Sequence, residues 1–511
     1  MKRKTVKRVG KFLGVFLAIA TVVSCLGVRR QIQFHSGALT ELVDAERFNT
    51  KLGALALVNV RVLSADCESL SDPQTVLIQD GLFVAIGPQE EVPGDFQVID
   101  GSGKFLIPGL IDAHTHLHRS KNDLLLYLAN GVTSIANMNS LPEGTYLDWK
   151  REAEEGALSP RLYIAAGGMS TSKGLYPWIQ TFFGSRRYNS PEKARRAVRK
   201  FKDQGYDAIK SYAPSKEVYY AIMDEAKVQN IPVTGHVPYA VGIEGLYTSG
   251  QSGVAHVEEL SKNSFVDFGG FREVFYDNIE AYMAFVSGRA DSIAIRLKEA
   301  DITVCSTSGY YSGILKQDLD LKRYLKEIEL EYANPGVVEG SRYRRGWLPG
   351  ENKFEDTSNT DQEGRERAQL YWGTYIKSID VITQALDRNG VKLVTGSDSN
   401  GYCTVPGFSF HEQLWSLDRI GFAPAKIYRM ATVNASEWMG HNTGVIQVGK
   451  MADAVLLNAN PLEDVRNAKK IEAVFIQGKY LNRKRLDEML KAVKDANNRS
   501  RNVNIDEFLR P

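Results

Sequence analysis

The sequence predicts an α/β fold, a TIM-like (β/α)8 barrel with a small β-sandwich domain formed from both flanks of the chain. Three observations carry that expectation. Eight short apolar segments alternate with helical patterns through the middle of the chain. Strand-like segments broken by glycine turns lie on either side of them. No glycine-rich phosphate loop follows the first middle strand, as a doubly wound sheet binding a nucleotide would want.

The flanks come first. "GALALVNVRVLSA", "TVLIQDGLFVAIG" and "FQVIDGSGKFLIP" read as strands, and Asp80–Gly81 between two apolar runs is a hairpin signal. Near the other end, "GVIQVGKMADAVLLN" and "IEAVFIQGKYLN" repeat the pattern, so residues 50–107 and 440–482 are expected to form one composite sandwich.

Between them, residues 108–439 make the expected barrel. Its strands are read at 110–116, 132–138, 161–167, 207–212, 232–237, 252–259, 302–308 and 392–398. The helical pattern "SPEKARRAVRKFKDQG" opens with Ser190 as N-cap and Pro191 in the first turn. Two connections, near 260–301 and 309–391, are longer than one helix and its loops need, and are expected as lids over the catalytic face. Residues 348–362 read equally well as a lid or a disordered surface loop. Residues 483–511 read as an amphipathic helical tail.

The N-terminus has its own grammar. Lys2, Arg3, Lys4, Lys7, Arg8 and Lys11 precede the uncharged run "FLGVFLAIATVVSCLGV", which stops at Arg29 and Arg30. A basic flank before a short apolar stretch reads as a signal peptide or membrane anchor over residues 1–30. "VVSC", residues 22–25, is similar to the lipobox of bacterial lipoproteins, which would make Cys25 an acylated residue. Lipoprotein, uncleaved anchor and cleaved signal all imply export, with the protein membrane-attached through this segment or else periplasmic or secreted.

Bulk composition is that of an ordinary globular protein: 43% apolar, 24% charged, net charge +2 over 511 residues. Much of the positive balance sits at the two ends, and the near-neutral remainder calls for no nucleic-acid partner. Cys25, Cys67, Cys305 and Cys403 lie far apart, so no zinc knuckle or disulfide framework is suggested. Nothing here excludes a homo-oligomer.

Chemistry concentrates in few places. "GLIDAHTHLH" sets His114 and His116 one residue apart at the end of an apolar strand, in a chain with 8 histidines. Alternate strand residues share a face, so both imidazoles project into the barrel mouth. Lys210, His236, His256 and Asp398 fall late on other expected strands, and all six therefore gather at the carboxyl ends of barrel strands, where such folds carry catalysis.

"PGLIDAHTHLH", "YDAIKSY", "IPVTGHVP", "GVAHVEE", "VTGSDS" and "MATVNASEWMGHNTGVIQVGKMADAVLLN" together resemble the metal-dependent amidohydrolase superfamily, in its prolidase-like and imidazolonepropionase-related branch, over about residues 50–482. The resemblance implies two divalent metal ions, with zinc expected. It assigns His114 and His116 to the buried metal, and His236 and His256 to the second. It places a CO2-derived carbamate on Lys210 between them, and makes Asp398 a ligand to the first metal and the general base. The 142 residues separating His256 from Asp398 are a departure from the family spacing, so its substrate-contact loops are not carried over.

The residue types suit that chemistry. Neutral imidazole and carboxylate are good zinc ligands, and two cations sharing a hydroxide would polarise a substrate carbonyl at the same time. A lysine ammonium would repel cations, whereas its carbamate offers an anionic oxygen to each. Asp398 could take a proton as water attacks and hand it to the leaving nitrogen.

His118 matches no family role and reads as a surface or outer-layer histidine, and His411 as a capping or packing residue with pocket lining as the alternative. Tyr212, Tyr239, Arg344 and Arg345 could touch substrate, the arginines offering a cation to a carboxylate.

The expected function is an exported binuclear hydrolase cleaving a C–N amide bond in a small molecule or short peptide, of dipeptide or N-acyl amino acid type. Alternatives are an ester, lactone or phosphoester hydrolase with the same metal pair, a mononuclear deaminase, and a non-catalytic surface binding protein. Against the deaminase, Tyr239 stands where those enzymes usually have glutamate, and they lack the strand-four lysine.

Overall fold

Strand β1 (Leu55–Val62) is the seam of the smaller unit. It pairs along one edge with the hairpin of β2 (Gln74–Gln79) and β3 (Leu82–Gly87), and along the other with β4 (Gln97–Asp100). On the other it joins β5 (Phe105–Pro108), which continues into β14 (Ala454–Leu457), β15 (Ile471–Ile476) and β16 (Lys479–Asn482). The computed structural model describes residues 21, 23–88, 90–138, 144–171, 187–270, 277–342, 344–355 and 361–510. Both sheets that share β1 contribute to one apolar cluster, with Leu57, Ile78 and Phe83 meeting Leu106, Leu456 and Phe475. This is a small β-sandwich closed by strands from opposite ends of the sequence.

The larger unit is a parallel barrel. Its strands are β6 (Leu110–Thr115), β7 (Val132–Asn137), β8 (Arg161–Ser170), β9 (Ala208–Ala213), β10 (Val233–Gly235), β11 (Gly253–Val254), β12 (Thr303–Ser306) and β13 (Leu393–Thr395), hydrogen-bonded in sequential order. Every residue of β6 and β7 is buried, as expected when helices cover the outside and side chains fill the inside. The last strand returns to the first. Asp398 N donates to the His114 carbonyl at 2.9 Å, His116 N donates to the Ser399 carbonyl at 3.1 Å, and Thr115 bridges Ser399 in parallel. That closure selects the barrel over the doubly wound sheet.

Gly396 is required at the joint, because a β-carbon there would meet His114 Cβ at 2.5 Å. The two units are locked by Asp453, fully buried, which accepts from Arg161 Nε at 2.5 Å and from Gln477 N at 2.7 Å.

The long connections are mostly helical. Glu258–Phe268 and Ile279–Glu299 fill the first; Ser308–Leu325, Pro335–Glu339 and Gln362–Arg388 fill the second. The helix Arg483–Ser500 packs beside Asn122–Ala129, and Arg501 Nη2 beyond it donates to the carbonyls of Leu330, Glu331 and Ala333. Of the segments singled out in the sequence, residues 1–20 and 22 of the expected signal or anchor, 271–276 of the first expected lid, 343 and 356–360 of the second, and 511 of the tail lie outside the described residues. In the rest of the 348–362 loop Leu348 and Asn352 are buried, and Asn352 Nδ2 donates to Gln317 Oε1 at 2.9 Å.

Candidate metal centre

β6 delivers His114, and His116 follows one residue past its end on the same side. His114 is fully buried, while His116 reaches toward the mouth. Asp398 comes from the turn after β13, where its backbone takes φ +53°, a left-handed conformation that aspartate tolerates. The turn brings Asp398 Oδ1 to 2.9 Å from His116 Nε2 and 3.7 Å from His114 Nε2. One ligand atom from each of these three residues lies within 4.8 Å of the others.

The other three residues adjoin this triad. Lys210, on β9 and buried, places Nζ 3.4 Å from His114 Nε2. The His256 ring centroid is 4.3 Å from that of His114, and the His236 ring is 5.1 Å from that of His256. The structure thus brings all six sequence-selected residues into one contiguous cluster on the carboxyl face of the barrel.

Two of the imidazoles are oriented from behind. His236 Nδ1 lies 2.8 Å from Glu259 Oε1, and His256 Nδ1 2.9 Å from Thr307 Oγ1. With Nδ1 engaged outward, each Nε2 is left as the inward-facing nitrogen. Glu259 also accepts from Val237 N at 2.9 Å and from Lys262 Nζ at 2.9 Å. Below the triad, Asp112 accepts from Ser397 N at 2.9 Å, from Ser397 Oγ at 2.5 Å and from His114 N at 3.3 Å, tying the first strand to the last.

Glu259, Thr307, Asp112 and Ser397 were not selected from the sequence. Glu259 in "HVEE" and Asp112 in "LIDAHTH" carried a usable signal, a carboxylate two or three residues from a site histidine. Thr307 and Ser397 carried none, since their roles depend on contacts made across the barrel.

The electrostatics favour a cation at the centre. Burial pushes His114 well below the usual histidine range, with the Lys210 charge adding to it, and pulls His256 down to about 3 against the opposing Asp398 charge. His236 is lowered too, chiefly by burial. These rings are therefore neutral near pH 7 and carry lone pairs. Burial lowers Lys210 to about 8, against the pull of Asp398 and Glu259. Burial alone would raise Asp398, but the His116 contact and the nearby positive charge outweigh it and keep the carboxylate ionised.

His114 Nδ1 is buried without a hydrogen-bond partner. A buried cluster of imidazoles and an amine around one carboxylate has more lone pairs than donors, which is the donor set that could hold a metal ion.

The remaining selected residues divide. His118 is not a surface residue: it is 4% exposed, because the strand stops at Thr115 and the segment around Ser36 covers the turn that follows. His411 is buried with Nε2 3.0 Å from the Asn130 carbonyl, a packing role away from the cluster. Tyr212 is exposed and sets its ring 4.7 Å from that of His236. Tyr239 is exposed, with Lys262 Nζ 5.0 Å above its ring. Arg344 and Arg345 sit exposed on the second insertion and line a cleft of about 370 Å³.

Comparison with known proteins gives a consistent picture. A family model described as "Amidohydrolase family" matches residues 105–481. Among solved structures, a bottromycin amidohydrolase covers 91% of this chain and 96% of its own at 21% identity, with a TM-score of 0.69. A putative prolidase from Bifidobacterium longum covers 88% and 100% at 20% identity, with a TM-score of 0.59. Those two likenesses show the fold.

Among curated proteins, the N-substituted formamide deformylase of Arthrobacter pascens is 39% identical over 72 residues, 13% of either chain. The imidazolonepropionase of Vibrio cholerae is 44% identical over 48 residues, 9% of this chain and 12% of its own. The chain thus spans only about an eighth of the length of these curated relatives.

Proposed function

The chain belongs to the amidohydrolase family, and on that premise we propose that it is an exported, binuclear metal-dependent hydrolase cleaving the C–N bond of an amide of dipeptide or N-acyl amino acid type. The observation that carries the reading is the cluster itself: four histidines, a buried lysine and an ionised aspartate converging at the carboxyl ends of barrel strands. One structural neighbour is described as a prolidase, which supports the choice of amide, and the basic flank with its uncharged run supports export.

His114, His116 and Asp398 would hold one cation and His236 and His256 the second, with Lys210 between them. When bound, such a pair supplies the Lewis acidity that activates water and polarises the scissile carbonyl. The chain's own groups do the rest.

Lys210, lowered to about 8 by burial, presents a share of neutral amine near pH 7. Its nitrogen lone pair can add to the carbon of CO2, forming an N–C bond and releasing one proton to give an anionic carbamate. Asp398, ionised and held beside His116, is placed to accept a proton from water and pass it to the departing nitrogen. Glu259 and Thr307 fix the ring planes of His236 and His256, so neither must reorient during turnover. Arg344, on the insertion, offers a guanidinium to a substrate carboxylate.

The test is product analysis. Zinc-loaded protein is given N-acetyl amino acids, dipeptides and the matching methyl esters, and free amines, alcohols and ammonia are quantified. Release of the amino acid from the amide substrates is expected. Cleavage confined to esters, lactones or phosphoesters, or release of ammonia alone, would overturn the reading.

A further inference from the structure

We propose that the catalytic face of the barrel docks on an anionic membrane surface through the helix of residues 23–35, so that its mouth opens toward lipid. This rests on the export reading above and adds an orientation to it.

The geometry begins where that helix ends. Ser36 O accepts from Arg119 N at 2.7 Å, and Gln31 Oε1 accepts from Arg342 N at 3.2 Å. Thr40 and Asn334 exchange hydrogen bonds at 3.2 and 3.0 Å. The contact with the insertion is close enough that a β-carbon on Gly336 would lie 1.8 Å from Phe34 O. Arg119 follows His116 by three residues, and residues 334–342 belong to the insertion after β12. Both anchoring points therefore lie on the face that carries the metal-ligand candidates.

The reach is short. Three extended residues from His116 to Arg119 cover at most about 10 Å. The helical path from Cys25 to Ser36 adds roughly 16 Å at 1.5 Å per residue. With the hydrogen bond between the two segments included, Cys25 lies within about 30 Å of His116. A membrane touching this helix therefore meets the molecule near the loops that follow the barrel strands, on the side of the mouth.

The surface of the segment names its partner. Val23 and Leu26 are 62% and 59% exposed, one turn apart on one face, and Leu39 and Leu42 are exposed further on. Arg29 and Arg30, also exposed, stand one turn beyond Leu26. Immediately upstream the sequence runs uncharged from residue 12 to 28 behind a cluster of lysines and arginines. Uncovered apolar side chains flanked by guanidinium groups match the hydrocarbon boundary and headgroups of an anionic bilayer.

The test uses the full chain mixed with phosphatidylcholine vesicles containing 30% phosphatidylglycerol, followed by hydrogen–deuterium exchange. Peptides covering 23–38 and 339–346 are expected to slow several-fold on vesicles, while those covering β2 and β3 at the other end stay unchanged. Failure to associate with the vesicles, protection at β2 and β3, or association without protection of the 339–346 peptide would each overturn the proposal. Metal content and hydrolysis measured on the same samples separate the two readings. Docking without metal or turnover would sink the hydrolase, and turnover without docking would sink only the orientation.

Discussion

The Glu259 carboxylate stands 2.8 Å behind His236 Nδ1 and accepts the next backbone N–H, that of Val237, at 2.9 Å. One side chain thereby fixes both the ring of a candidate ligand and the backbone that carries it. Its charge is also retained: burial alone would raise its pKa, but His236 and Lys262 outweigh that and hold it ionised. Glu259→Gln keeps the shape and removes the anion. Zinc affinity, read by competition with a chelating dye, is expected to fall about 10–100-fold while thermal stability of the metal-free protein changes little. Unchanged affinity would remove Glu259 from the account.

Closure of the barrel at Gly396 gives a second prediction. A β-carbon would meet both His114 Cβ, at 2.5 Å, and His114 N, at 2.6 Å, and neither can move without disturbing the site. Gly396→Ala is expected to lower unfolding free energy in urea by about 1–3 kcal/mol and to reduce bound metal in parallel. Full stability together with full metal content would show that the seam is looser than this.

The junction between sandwich and barrel can be tested at Arg161. Removing its guanidinium leaves Asp453 fully buried with the Gln477 amide as the partner retained. Arg161→Met is expected to destabilise the protein by about 3 kcal/mol, seen as a lowered urea midpoint. A loss within error of zero would mean that the pair does not lock the units.

Glu412 carries a pH dependence away from the metal centre. Burial first, and then the Glu329 charge, push it from 4.5 up to about 7. The unfolded chain releases this proton near 4.5 and the folded chain holds it until about 7, so stability from this group is complete below 4.5 and is lost as pH rises to 7. Glu412→Gln should therefore be more stable than the wild type at pH 8, by on the order of 1 kcal/mol, with the advantage vanishing toward pH 4.5. A difference in melting temperature that is constant from pH 4.5 to 8 would contradict it.

Much of this was legible in the sequence for a physical reason. Parallel barrel strands are buried on both faces and read as short apolar runs, so β6 at Leu110–Thr115 and β7 at Val132–Asn137 stand close to where the pattern puts them. The six clustered residues are the chemistry-bearing ones at the ends of such runs.

Boundaries were less legible. The sixth barrel strand reads as 252–259 but pairs only at Gly253–Val254, because the chain turns into a helix at Glu258 whose first turn holds two glutamates. Apolar pattern cannot mark that change. The support from Thr307 and Ser397 was hidden for another reason: it joins residues 51 and 285 positions apart, to His256 and Asp112, and no local spacing encodes it. The burial of His118 was hidden in the same way, since what covers it is the segment around Ser36, more than eighty residues upstream, and of the two readings only the surface one is excluded.

On the proposed function, Lys210 would join two cations held by His114, His116, His236, His256 and Asp398. Elemental analysis of metal per chain, on wild type beside Lys210→Ala, tests it most directly. Close to two equivalents are expected in the wild type, falling toward one or none in the variant. A single equivalent that survives the Lys210 change, or none in the wild type, would contradict it.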